Sequence, residues 1–380
     1  MPDEYDYIIA GGGCAGLSLL QALIRAGVAE GARILVVDRD AKEANDRTWC
    51  FWEAGEGPFE SIVHKEWAQL DFHSDHLSRR LDIAPYRYKL IRGIDFYRHC
   101  HAEASRMPGI QFLQESVSEV FTDRQGAGVR AGGRTYRARY VFSSLYERPE
   151  PRPGKHWLLQ HFTGWVIETE APAFDPAVAT FMDFRTDQQE GTTFFYVLPL
   201  SPTRALVEYT LFTGELLSTA AYEEALGGYI RERLGIGAYT VAEREFGIIP
   251  MTNHRFPARN GNVVYIGTAG GQTKASSGYT FRNVQKHSAA LAESLKKEGH
   301  PFAVDATARR FGFYDSVLLD ILAHRSLEGA DIFTDLFRGN RAASVFRFLD
   351  NESALHQELR LISTLPTLPF SRAALRQLRP

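Results

Sequence analysis

The chain has 380 residues, 44% of them hydrophobic, which is enough for two or three lobes around a large core. A net charge of −3 excludes a general affinity for nucleic acid or anionic lipid resting on charge alone. The acidic start Met1-Pro2-Asp3-Glu4-Tyr5-Asp6 argues against a secretory signal peptide, and the apolar run from Tyr7 to Ile24 is broken by four glycines, unlike a membrane span. Cys14, Cys50 and Cys100 lack metal-ligand spacing and read as reduced thiols in a cytosolic protein, with no metal expected.

In chain order, the first predicted strand, Tyr7-Ile8-Ile9-Ala10, runs into Gly11-Gly12-Gly13-Cys14-Ala15-Gly16, a Gly-x-Gly-x-x-Gly turn. Gly11 permits the tight turn, Gly13 allows the backbone to approach a pyrophosphate, and Gly16 lets the next helix pack closely on the strand. The helix that follows has Leu17, Leu20, Leu23 and Ile24 on one face and aims its free N–H groups at the phosphates. A second strand, Arg33 to Asp38, ends in a carboxylate 22 positions after Gly16, where an acid would accept hydrogen bonds from an adenosine ribose.

Short strands are predicted at Ile110 to Leu113, Gly128 to Ala131 and Tyr140 to Phe142, and Pro149, Pro151 and Pro153 mark a linker. Residues 155–215, rich in aromatic and β-branched side chains, predict an antiparallel sheet with Phe194 to Leu200 and Ala205 to Phe212 as a hairpin. Thr219 to Leu234 has helical periodicity. A strand at Val263-Val264-Tyr265-Ile266 then delivers a second small-residue turn, Gly267-Thr268-Ala269-Gly270-Gly271, and helices follow from about Gln285.

Two such turns, one early and one late, suggest one dinucleotide held from both ends, and so FAD; NAD would explain the first turn and leave the second unexplained. A glycine-rich turn without a ligand is the competing reading. The predicted fold class is α/β: a Rossmann-type FAD-binding domain (glutathione-reductase-like), an antiparallel β-sheet substrate domain and a C-terminal helical region. Residues 1–70, 91–150 and 250–300 are assigned to the first, 71–90 and 151–249 to the second, and 301–380 to the third.

Several segments together resemble the bacterial flavoprotein lycopene cyclases. They are Asn45-Asp46-Arg47-Thr48-Trp49-Cys50-Phe51-Trp52, Phe195 to Pro199, Leu206-Val207-Glu208-Tyr209-Thr210, Ile248 to Met251, Gly267 to Phe281 and Val345 to Asp350. They occur in the family's order along essentially the whole chain. The resemblance implies redox-neutral cyclisation of the acyclic end groups of lycopene to β-rings, giving γ-carotene and β-carotene, on reduced FAD with NAD(P)H as reductant. It implies an intramolecular lyase, or isomerase, of carotenoid biosynthesis. A double bond is protonated, a neighbouring double bond closes the ring on the cation, and a proton leaves.

That chemistry calls for a carboxylic acid kept protonated in an apolar site. Glu208, mid-strand between apolar residues, is the candidate; the competing readings are a solvent-facing side chain or a pair with Arg185 or Arg204. Aromatic rings stabilise a cation without trapping it, so Trp49, Trp52 and Tyr196 are the candidate substrate lining, each equally readable as core. Arg47 and Thr48 are placed against the flavin, with an ion pair of Arg47 to Asp46 or Glu43 as the alternative. Gly267, Thr268, Ala269, Gly270, Gly278 and Tyr279 complete the cofactor set. Thr268 stands where many FAD proteins have an acid. Asp350 and Glu352 are secondary acid candidates or helix caps.

A polyene substrate implies a cytoplasmic protein peripherally attached to the membrane, without partners among nucleic acids. Leu77 to His99, and the stretch holding Ile332, Phe333, Leu336, Phe337, Phe346 and Phe348, combine basic and apolar residues as such a surface would, or as a solvated basic face over core. The rival functions are an FAD-dependent redox enzyme on a hydrophobic substrate (a monooxygenase, halogenase or prenyl-lipid reductase) and a non-catalytic carrier of a polyene.

Overall fold

In the computed structural model, which describes residues 3–378, the chain forms three sheets and a set of C-terminal helices. An eight-stranded sheet has the parallel strands Asp3–Ala10 and Ile34–Asp38 at its centre. Ile110–Gln114 flanks them on one side, and Arg134–Ser143 and Val263–Tyr265 on the other. Ile8, Ile9, Ala10 and Leu35 to Val37 are almost fully buried, as expected of a parallel strand covered on both faces. The helix Cys14–Arg25 lies against Phe281–Glu298, and Gln285 Nε2 donates to Ser18 Oγ at 2.7 Å between them.

The second sheet has seven strands in the order Thr240–Thr252, Trp157–Glu168, Arg204–Thr213, Thr192–Ser201, Val178–Asp183, Gln69–Ser74 and Leu77–Asp82. Alternation along the hairpin Thr192–Ser201/Arg204–Thr213 divides its side chains between two cores. Phe195, Val197, Val207 and Tyr209 pack under the helix Thr219–Glu232, with Phe195 stacked on Tyr229 at 3.9 Å. Phe194, Tyr196, Leu198 and Leu206 face the opposite way, toward the C-terminal helices. A small sheet of Thr48–Ala54, Tyr86–Arg92 and Lys65–Trp67 bridges the two large ones. Asp320 secures the last helix, Thr367–Leu378, by accepting from Arg376 Nε at 2.8 Å and Gln377 Nε2 at 3.0 Å.

Both segments whose composition suggested a lipid-facing surface turn their apolar residues inward. Tyr86, Tyr88, Leu90, Ile91 and Phe96 are core, and so are Ile332, Phe333, Leu336, Phe337 and Phe346. Some of the charges of the first segment pair within the chain: Arg80 with Asp71 at 2.8 Å, Arg92 with Asp95 at 2.6 Å, and buried Lys89 with Glu60 at 2.5 Å. An amphipathic pattern is the same whether its apolar half meets a membrane or a neighbouring sheet. Exposed leucines lie elsewhere, as Leu355 and Leu359 on the helix Leu355–Ile362 and Leu368, Leu375 and Leu378 on the last helix. No helix among the described residues is long and apolar enough to cross a membrane.

Candidate active site

The two glycine turns converge. Gly11 has φ +102°, and a Cβ on Gly16 would stand 1.9 Å from the Gly11 carbonyl oxygen, so neither position tolerates a side chain. A Cβ on Gly13 would meet nothing within 4 Å: the space above the turn is open. The helix Cys14–Arg25 begins there with no side-chain cap, leaving its first N–H groups available to an anion. Asp38 accepts from Gly12 N at 2.6 Å, which ties the end of the second strand to this turn. Gly267, at φ +62°, meets the start of the same helix so closely that its Cβ would lie 2.7 Å from Ala15 Cβ. Gly267–Gly270 form a single helical turn, and Thr268 Oγ1 shares a hydrogen bond with Thr273 Oγ1 at 3.0 Å. Gly278 has φ +69°, and its missing Cβ leaves room for Gln160 Oε1. A turn with open space above it, an uncapped helix N-terminus and a second glycine turn at its side fit an extended dinucleotide such as FAD.

Beside these turns lies a cavity of about 350 Å³ between the seven-stranded sheet and the loop Ser277–Thr280. Thr48, Trp49, Tyr196, Glu208, Thr268, Gly278 and Tyr279 line it, with Arg47 at its margin. Arg47 is 54% exposed and lies 3.8 Å from Asp46, the pair foreseen as its alternative role. Trp52 is one layer behind: it packs on Tyr279 at 4.4 Å and stacks on Phe346 at 4.5 Å, outside the cavity lining. Asp350 and Glu352 are also outside it, following the helix Ala342–Leu349, with Glu352 2.7 Å from Lys286.

One row of residues crosses four neighbouring strands at the cavity floor. Tyr196 is opposite Glu208, Glu208 is opposite Gly164, and Gly164 is opposite Glu245. Residues opposed in this way share a face of the sheet. The absence of a side chain at Gly164 opens the space between the carboxyls: a Cβ there would lie 2.9 Å from Glu245 Cγ and 3.0 Å from Glu245 Oε1. Thr210 Oγ1 donates to Glu208 Oε1 at 2.7 Å, and Thr48 Oγ1 donates to Glu245 Oε2 at 2.7 Å. Glu208 and Glu245 hydrogen-bond to each other, and among the described residues no hydroxyl, amide or cation reaches Glu245 Oε1. Arg185 is engaged by Asp183 at 2.7 Å and Arg204 by Glu243 at 2.5 Å, so both foreseen partners of Glu208 are committed elsewhere.

Burial, and then the neighbouring Glu245 charge, push the Glu208 carboxyl up to about 8; burial also raises Glu245. Tyr196 and Tyr279 share a hydrogen bond at 3.3 Å, and burial raises both phenols, keeping them neutral. The arrangement is a pair of carboxyls, both with raised proton affinity, under aromatic rings at the floor of the cavity. Glu245 went unnoticed in the sequence, where Glu243-Arg244-Glu245 resembles a solvated charge run. Its parity with Ile249 and Met251 was the available signal: alternate residues of one strand share a face, and Met251 is core.

The fold is an FAD-binding type of α/β architecture, shared with FAD-dependent enzymes of known structure. The chain superposes on a geranylgeranyl bacteriochlorophyll reductase-like protein from Thermoplasma acidophilum with a TM-score of 0.64 at 12% identity, covering 98% of this chain and 99% of that one. It superposes on the p-nitrophenol 4-monooxygenase PnpA from Pseudomonas putida DLL-E4 with a TM-score of 0.60 at 15% identity, over 98% and 99% of the two chains. Identities this low establish shared architecture alone. Residues 6–375 match the family model described as lycopene cyclase protein, and the chain belongs to that family. It is 25% identical to a lycopene beta-cyclase of Paracoccus sp. (strain N81106 / MBIC 01143), over 97% of this chain and 96% of that protein.

Proposed function

We propose that the protein is a lycopene β-cyclase, closing acyclic end groups of lycopene to β-rings, and that Glu208 is the acid that begins the reaction. The observation that carries this reading is a carboxyl held protonated by burial and a neighbouring carboxylate, among aromatic rings. A carboxyl that stays protonated at neutral pH can donate to an alkene; an ordinary glutamate, ionised there, cannot. Trp49, Tyr196 and Tyr279 surround the developing tertiary cation, each ring contributing about 0.5–2 kcal/mol of cation–π stabilisation. Trp52, behind Tyr279, holds that ring in place.

FAD fits the two glycine turns, with Gly11, Gly13, Gly16 and Asp38 at its adenosine and pyrophosphate end. Gly267, Thr268, Ala269, Gly270, Gly278 and Tyr279 border its flavin end, with Arg47 and Thr48 near it. When bound in its reduced state, with NAD(P)H as the source of electrons, it supplies negative charge close to the cation. No net electron transfer follows, because the substrate and product are isomers.

A polyene substrate calls for a peripheral membrane contact, and the last two helices offer one to an anionic bilayer. Leu355, Leu359, Leu368 and Leu375 are each more than half exposed, Arg360 and Arg372 are exposed beside them, and the only acid between Leu355 and Leu378, Glu358, is buried against Arg310.

The deciding experiment is an anaerobic assay of the purified protein with lycopene in liposomes and FAD pre-reduced with dithionite. A product of unchanged mass with a shortened chromophore and no net flavin oxidation is expected. Turnover that requires NAD(P)H and oxygen, or a change in substrate mass, would assign the chain to the redox flavoenzymes instead.

A further inference from the structure

The cyclisation needs a proton acceptor as well as a donor, and the cavity floor holds a second carboxyl that the reading so far leaves unused. We infer that Glu245 is the second catalytic residue, the base that takes the departing proton, and that Glu208 and Glu245, on either side of Gly164, form a dyad that begins and ends each cycle with one proton. The inference rests on the cyclase reading above.

The geometry supports it in three ways. Glu245 lines the same cavity as Glu208, two strands away in the same row, with only the glycine backbone between them. Thr48 donates to Oε2 of Glu245, and Glu208 and Glu245 hydrogen-bond to each other in the sense that favours the proton on Glu208, while Glu245 Oε1 lies over Gly164. No lysine or arginine makes an ion pair with either carboxyl among the described residues, and Glu245 is the charge that acts most strongly on Glu208. Two carboxyls that hydrogen-bond to each other and are raised by burial share a proton rather than both ionise.

The balance closes without a co-reactant. The O–H bond of Glu208 breaks as its proton forms a C–H bond at the terminal double bond, leaving a tertiary cation. The electron pair of the neighbouring double bond forms the ring C–C bond. A C–H bond beside the new cation then breaks, its electrons become the ring double bond, and the proton passes to the Glu245 carboxylate. Return of that proton to Glu208 across Gly164 resets the pair. The dyad begins and ends with one proton, and nothing is oxidised or reduced.

The test compares wild type with Glu245→Gln in the pre-reduced assay across pH. Activity of the wild type should be bell-shaped: the acid limb reports protonation of Glu245, the alkaline limb loss of the Glu208 proton. The groups facing the pair are Tyr88, Tyr196, Tyr279 and Cys50, all raised by burial and so neutral, with Arg47 and Glu243 acting from farther along the strands. Glu245→Gln should lower kcat at least about 100-fold, leave KM within about threefold, remove the acid limb and bind FAD as tightly as wild type. Retention of activity within about threefold of an active wild type, with the acid limb intact, would overturn the dyad and leave the cyclase reading standing.

Thr48→Val is the milder companion: it keeps both carboxyls but releases Glu245, and the acid limb should move to higher pH. A readout independent of turnover is infrared or carbon-13 titration of carboxyls in the flavin-free protein. One buried carboxyl should remain protonated past neutrality in wild type and ionise at clearly lower pH in Glu245→Gln. No difference between the two titrations would overturn the dyad even if lycopene proved not to be the substrate.

Discussion

Glu208 and Glu245 lie on either side of Gly164 in one row of the sheet, and among the described residues neither forms an ion pair with a lysine or arginine. Glu208 comes from the hairpin Thr192–Ser201/Arg204–Thr213, Glu245 from the edge strand Thr240–Thr252. Pairing two acids in a half-buried position opposes folding, because each charge loses water and meets a like charge. A protein retains such a pair where the raised proton affinity has a use.

Replacing Glu208 by glutamine keeps the shape of the side chain and removes the acidic proton. Turnover of lycopene should fall by about 10³-fold or more, while flavin binding and far-ultraviolet circular dichroism remain as in wild type. Near-normal activity would take Glu208 out of the acid's role.

Gly164→Ala places a methyl group between the carboxyls, 2.9 Å from Glu245 Cγ and 3.0 Å from Leu206 Cδ1. The expected cost is about 1–3 kcal/mol of stability by chemical denaturation, with the alkaline limb of activity moved to lower pH as the two charges separate. An unchanged pH profile would mean that the carboxyls do not communicate across this strand.

Stability should depend on pH through Glu208. Its folded-state value, about 8, is above the ordinary 4.5, so between those values the native state holds a proton that the unfolded chain has released. Its contribution is therefore fully present below about 4.5 and is lost as pH rises toward about 8. Melting temperatures of the flavin-free protein should fall across that window, and the fall should be shallower in Glu208→Gln.

Gly16→Ala should abolish flavin binding before it abolishes folding. The new Cβ would stand 1.9 Å from the Gly11 carbonyl, displacing the turn that the pyrophosphate would rest on. Fluorescence titration with FAD is expected to show at least about a 100-fold loss of affinity with secondary structure preserved, since a turn moved off its phosphate loses several hydrogen bonds together.

Combined Leu355→Ser, Leu359→Ser, Leu368→Ser and Leu375→Ser substitutions should weaken co-sedimentation with anionic liposomes about tenfold or more, because bilayer affinity follows the apolar area inserted. Activity on detergent-solubilised lycopene should persist. Wild type that never sediments, or that self-associates through these helices in light scattering, would dismiss the membrane contact.

Much of the architecture is legible in local sequence patterns. The glycine turns, the βαβ start and the hairpin carrying Glu208 all follow from local rules: glycine is needed where φ is positive, and a period of two marks a strand. Thr48 and Trp52 show the limit of such rules. Both were recognisable as special, yet Thr48 is engaged by Glu245, 197 positions away, and Trp52 supports Tyr279 from behind.

Local patterns along the chain mark which stretches become strands and helices, where a dinucleotide could rest, and Glu208 as an unusual acid. Long-range pairing brings Glu245 to it, turns the apolar residues from Leu77 to His99 inward, and leaves exposed leucines on the last two helices. The physical reason is register. Alternation tells that a residue shares a face with its second neighbour, whereas the identity of the residue opposite depends on pairing between strands far apart in the chain. Glu208 and Glu245 are 37 positions apart, and their meeting depends on the glycine at position 164 standing between them.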